Sequence, residues 1–195
     1  MKRILVISLV VFGVVAFAAS AGAQNMLGTI ELNGGYAKPS TEVSPNNDSW
    51  GGGITFGAAY WRPMSPQISW GAELSYDNMG SVDYDTGTST ATYSGHVLRV
   101  NPAMRFSFGA PVGPSFFAQG GAGLYSVAAK YEDSVDPSLN TDASDSKFGF
   151  NVGAGVNFPV GPKTKLNFQG TYHSISTDNQ STNYIQVRCG VGFGL

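Results

Sequence analysis

The stretch that closes the chain, Tyr184 to Leu195, alternates without a break. Ile185, Val187, Cys189, Val191, Phe193 and Leu195 are apolar, whereas Tyr184, Gln186, Arg188, Gly190, Gly192 and Gly194 are polar or lack a side chain. A period of two marks a strand with one face in an apolar phase. The strand is long beside the five or six residues usual in soluble domains. A tilted strand of about ten residues is what crosses a bilayer.

Seven upstream segments repeat the pattern, giving eight in all. They are Gly28 to Lys38, Trp50 to Trp61, Gln67 to Asp77, Gly95 to Phe108, Ser115 to Val127, Lys147 to Phe158 and Thr164 to Ser174. The sixth is the cleanest, with Phe148, Phe150, Val152, Ala154, Val156 and Phe158 opposed to Gly149, Asn151, Gly153, Gly155 and Asn157. The fifth carries aromatics on both faces (Phe116 on one, Phe117 and Tyr125 on the other). Pro102 inside the fourth removes a ladder donor, which predicts a bulge or weak pairing there.

Connections alternate in length. Arg62 to Pro66, Gly109 to Pro114 and Val160 to Lys163 are short and rich in Pro and Gly, as tight turns are. Pro39 to Ser49, Asn78 to Ser94, Ala128 to Ser146 and Ile175 to Asn183 read as longer polar loops, acidic through Asp83, Asp85, Glu132, Asp133, Asp136, Asp142 and Asp145. Short turns at one end and long loops at the other describe an outer-membrane barrel. The expected fold is all-β: an eight-stranded antiparallel transmembrane up-and-down β-barrel.

Lys2 and Arg3, the apolar run Ile4 to Phe17 and the Ala21-Gly22-Ala23 site form a secretory signal peptide, residues 1–23, with the barrel domain at 24–195. This predicts export and residence in the bacterial outer membrane. Charged residues make up only 12% of the chain, about half the usual share, too few to coat a water-soluble barrel. A net charge of −2 offers no footprint for nucleic acid. The single cysteine, Cys189, excludes an intrachain disulfide.

Alternation alone does not say which face is outside, since a lipocalin-like carrier has the same period. Aromatics on the apolar face gather near strand ends: Tyr36, Trp50 and Tyr76 by the long loops, and Tyr60, Phe108, Phe116 and Phe158 by the short turns. Such girdles sit at the two membrane interfaces. The other face is mainly Gly, Asn, Ser and Thr, suited to a crowded lumen. The apolar face therefore points to lipid.

With these residues in view the chain resembles the small eight-stranded outer-membrane barrels grouped with OmpA, OmpX and OmpW. The resemblance spans the mature chain and is carried by Leu98-Arg99-Val100-Asn101-Pro102-Ala103-Met104-Arg105-Phe106, Gly149 to Val156, and the closing Gly190 to Leu195. It implies outer-membrane lipid and lipopolysaccharide as surroundings, and the barrel-assembly machinery as a partner in biogenesis. Many such proteins end in an aromatic that this machinery reads. Here the terminus is Leu195, with Phe193 two places earlier on the same face as Val191.

Glu31, Glu73, Arg99, Arg105, Lys147, Lys165 and Arg188 fall on the inward face. Charges in a narrow lumen are paired or hydrated, because unpaired burial is costly. One arrangement pairs Glu73 with Arg99 and Glu31 with Arg105 or Arg188; the other leaves hydrated charges without fixed partners. Outer-leaflet deacylases of this barrel class use a His-x-Ser pair and a Glu near the rim. Here His173-Ser174-Ile175-Ser176 is followed by no Glu, so no catalytic, cofactor or metal site is expected. The expected role is structural or surface-interacting, with an extracellular partner met through the acidic loops. The resemblance also offers a narrow channel for small apolar compounds, as in the OmpW branch, and more remotely a lipid-modifying enzyme.

Overall fold

A computed structural model describes residues 28–40, 51–85, 90–109, 113–135, 138, 140–176 and 181–195. Residues 1–23 (expected to be a signal peptide), Trp50 and Asp136 lie outside these residues. Eight antiparallel strands form a closed ring: β1 (Thr29–Pro39), β2 (Gly53–Pro63), β3 (Ile68–Asp85), β4 (Thr90–Gly109), β5 (Ser115–Asp133), β6 (Thr141–Pro159), β7 (Thr164–Ser176) and β8 (Ser181–Gly194). Each pairs with the next in sequence, and β8 closes on β1 through the register Leu32 to Val191 and Ala37 to Gln186. Closure leaves no free sheet edge around the ring, so backbone donors and acceptors at membrane depth are satisfied between strands.

The alternation sorts the side chains as its period dictates. Leu32, Phe56, Leu124, Phe148, Val152 and Val187 are exposed on the outside, while Glu31, Glu73, Arg99, Asn101 and Gln186 are buried inside. Outward aromatics meet across strands. Phe108 lies 5.9 Å from Phe116 on β5 near the short turns, and 6.2 Å from Phe106 two places along its own strand. Phe56, Tyr76 and His96 stack in a row toward the other end, at 5.2 and 5.3 Å. Phe158 packs edge-on against Phe168. Cross-strand pairs of this kind each contribute about 0.2–1 kcal/mol. Tyr36 and Tyr60 also lie on the outward face, Tyr36 donating to the Gly51 carbonyl.

Two of the segments read as long loops are mostly strand. β3 and β4 stay paired from Asn78–His96 up to Asp85–Thr90, and β5 and β6 from Val127–Asp145 up to Tyr131–Thr141. The reason is physical: beyond the lipid the outer face meets water, so the apolar phase shrinks to a few inner positions such as Val82, Ala91 and Val127 while the hydrogen-bond ladder goes on. The result is a four-stranded sheet, β3 to β6, that stands beyond the ends of the neighbouring strands. A bulge between Asn78 and Gly80 resets the phase of β3 at its base. Gly80 takes φ +75° there, its N–H donates to Asn78 Oδ1, and a Cβ would fall 2.4 Å from the Gly52 carbonyl. Pro102 lies opposite Ala72, but the β4–β5 ladder lapses between Val100 and Ala103 and resumes in the same register, without a bulge.

Candidate functional site: the barrel lumen

The inward side chains form layers. Nearest the short turns, Trp61 and Phe117 flank the Arg105 guanidinium, each ring centroid 4.0 Å from Cζ. Arg105 Nη1 donates to Glu31 Oε1 at 2.7 Å and Nη2 to Oε2 at 3.0 Å. Glu31 also accepts from Trp61 Nε1 at 2.9 Å and from Lys165 Nζ at 2.8 Å. Gln119 accepts from Arg105 and donates to Glu73, which links this layer to the next.

In the middle layer Glu73 sits between two arginines, with Arg99 Nη1 at 3.0 Å and Arg188 Nη2 at 3.3 Å. Arg99 also donates to Ser75 and Asn101. Gln169, with its amide oxygen turned toward Arg188, accepts from Nη2 at 2.7 Å and Nε at 2.9 Å. All three charged groups are at most 2% exposed. Charges so deep in a low-dielectric space persist only when paired and hydrogen-bonded.

A third layer centres on Asp77, which was not among the charges singled out in the sequence. Its carboxylate accepts from Thr55, Ser75, Tyr184 and Gln186. His173 lies stacked on Tyr184, ring centroids 4.3 Å apart, with Nδ1 facing the Tyr125 hydroxyl and Nε2 facing Gln186 Oε1. Above it, Ala37, Met79, Val97, Tyr125, Ile175 and Tyr184 form a buried cluster backed by Val82 and Val127. An apolar lid thus lies between the polar layers and the protruding sheet.

Inward glycines seat the large side chains of adjoining strands. A Cβ on Gly155 would meet the Phe117 ring at 2.5 Å, and one on Gly192 would meet Lys165 at 2.7 Å. Gly149 does the same for Tyr125 and Gly71 for Trp61.

The sequence-predicted charges therefore divide. Glu31, Glu73, Arg99, Arg105, Lys165 and Arg188 come together in two linked layers, with Glu31 taking Arg105 and Lys165 and with Arg188 going to Glu73. Lys147 does not sit with them. It pairs across to Tyr125 at the level of the apolar lid, toward the protruding sheet, 21% exposed and 2.9 Å from Asp145. That ammonium, with the Ser146 N–H, holds the Asp145 carboxyl below the ordinary aspartate value. His173 is fully enclosed. Cys189 is exposed on the outward face beside Phe168 and Gly34. Val191 and Phe193 end β8 at the short-turn end, and the Leu195 N–H just beyond it donates to the Gly28 carbonyl. Asp77 was missed because it falls where the apolar alternation of β3 gives out. Its flanking Tyr76 and the inward Ser75 were the available signal.

Comparison with known structures places the fold. Neisserial surface protein A shares 13% identity, covering 86% of this chain and 97% of its own, with a TM-score of 0.57. The attachment invasion locus protein Ail of Yersinia pestis shares 16% identity over 86% of this chain and 100% of its own, with a TM-score of 0.53. A major outer membrane protein of Thermus thermophilus shares 11% identity over 88% and 100%, with a TM-score of 0.57. At these identities the likeness establishes the fold alone. No match is found among curated protein sequences. The model of the outer membrane protein beta-barrel domain family, however, matches residues 5–193. Ring closure, outward apolar face and family match agree: the chain belongs to the outer membrane protein beta-barrel domain family and resides in the bacterial outer membrane.

Proposed function

We propose that the protein is a closed structural barrel whose protruding sheet meets an extracellular partner. The observation that carries the closed lumen is the layered stack running from the Trp61–Arg105–Phe117 sandwich through Glu73, Arg99 and Arg188 to the Met79–Val97–Ile175 lid. An eight-stranded ring has an interior just wide enough for its own side chains. The polar layers also argue against passage of small apolar compounds, which would have to displace ion pairs. Against catalysis stands His173, sealed between Tyr184 and Tyr125 and facing an amide instead of a carboxylate.

The sheet's surface supports a partner of positive charge. Asp83, Asp85, Glu132, Asp133, Asp142 and Asp145 outnumber Lys130 and Lys147 on it. Ail of Yersinia pestis has been solved with the heparin analogue sucrose octasulfate. A polysulfate would be repelled by the acidic sheet of this chain, and a basic protein surface attracted. Planar-bilayer recording on refolded protein tests the closed lumen: no steady unitary current is expected, and regular single-channel steps would overturn it.

A further inference from the structure

A cavity of about 150 Å³ opens at the short-turn mouth, lined by Trp61, Arg105, Thr29, Ser65, Ser69 and Lys165 among others. Its charges do not cancel, since among the described residues Glu31 is the one carboxylate facing both Arg105 and Lys165. Glu31 is also saturated. Oε1 takes Arg105 Nη1 and Lys165 Nζ, and Oε2 takes Arg105 Nη2 and Trp61 Nε1. A carboxylate offers about four acceptor sites, and an ammonium has three donors. Lys165 gives one of its donors to Glu31 and lines the cavity with its side chain 27% exposed. The mouth thus combines one surplus positive charge, unspent ammonium donors, an indole edge and several hydroxyls. Cavities near 150 Å³ are of the size that takes a benzene ring.

We propose that this cavity binds a small organic monoanion, a ring-sized carboxylate reaching it from the periplasm. Its carboxylate takes the free donors of Lys165, and its body rests against Trp61. Within the cavity lining Arg105 is already engaged by Glu31, which leaves the Lys165 ammonium to meet a single negative charge. This reading is independent of whether the lumen conducts.

The test is an NMR titration of the refolded barrel in zwitterionic micelles with benzoate, following the amides of Ser65, Gln67 and Ser69. A saturable shift is expected, with benzyl alcohol, the neutral analogue, binding at least about tenfold more weakly. Lys165→Gln should weaken benzoate by a similar factor, and Ser69→Phe, which fills the cavity, should abolish the shift. Heat-dependent gel mobility certifies that each variant is folded; should Lys165→Gln not refold, Ser69→Phe decides. Equal affinity for both probes, unsaturable shifts confined to lipid-facing Phe148 and Val152, or wild-type affinity in Ser69→Phe would each overturn the assignment.

Discussion

Arg105 and Glu31, 74 residues apart in sequence, meet across the lumen in a two-point ion pair of 2.7 and 3.0 Å, with the guanidinium held between the Trp61 and Phe117 rings. Ring closure alone brings them together, since β1 and β4 are not neighbours. Breaking such a pair from one side leaves a buried charge uncompensated, at a cost of about 3–5 kcal/mol. Glu31→Gln is therefore expected to lose about that much stability, as it strands both Arg105 and Lys165. Adding Arg105→Met to it should restore part of the loss. Denaturant unfolding of both single variants and of the double variant from lipid vesicles, read by gel mobility, measures the coupling; a double-variant loss equal to the sum of the two single losses would show that the pair is not coupled.

How much of this was legible in the sequence follows from where the solvent changes. In the lipid band an apolar and a polar face must alternate, so all eight strands could be read off directly, with Glu31, Glu73, Arg99, Arg105, Lys165 and Arg188 on the inward face. Beyond that band Thr141 to Ser146 is polar on both faces and Ser81 to Asp85 keeps only Val82 and Tyr84 on its less exposed face, too brief an alternation to tell strand from loop. Pairing of charges depends on the shear of the closed ring, which no local pattern carries. That is why Glu31 had two candidate arginines on paper and takes one of them in space. Asp77 marks the same boundary: of its four hydrogen-bond donors only Ser75 is local, while Thr55, Tyr184 and Gln186 come from β2 and β8 and leave no local trace.

Val152 stands near the middle of the lipid-facing part of β6, 56% exposed. An arginine on the lipid face at the midplane costs about 2–4 kcal/mol, falling to about 0–1 near the interfaces. Val152→Arg should lose stability in that range. Val135, which follows β5 beyond the protruding sheet, should tolerate arginine with almost no change. Folding titrations into vesicles compare the two; similar small losses would place the outward face in water.

Asp145 and Lys147 offer a local reading of charge outside the lipid. Because the Lys147 ammonium and the Ser146 N–H stabilise the carboxylate, its proton should leave below the ordinary aspartate value of about 3.9. Lys147→Met removes the larger cause and should move the midpoint upward. The sign for stability follows: with the folded value depressed, the contribution is present above the unfolded value and lost as pH falls through the folded one. Carbon-detected NMR titration of the Asp145 carboxyl checks this, and a midpoint unmoved by the substitution would refute it.

Gly155 and Gly170 lie on facing strands and should answer oppositely to the same methyl group. At Gly155 an added Cβ would come within 2.5 Å of the Phe117 ring and 2.4 Å of the Phe168 carbonyl, inside a lumen already filled. Overpacking of this kind costs about 1–3 kcal/mol, as side chain and backbone shift to make room. At Gly170 nothing lies within 4 Å, and the position faces outward between Gln169 and Thr171. Replacing a strand glycine there removes only unfolded-state freedom, a gain of about 0.5–1 kcal/mol. Gly155→Ala should therefore destabilise the barrel while Gly170→Ala stabilises it, both read from urea unfolding in vesicles. If Gly155→Ala were neutral, the lumen would have room beside Phe117, and the seating of large side chains against bare backbone could not be what closes it.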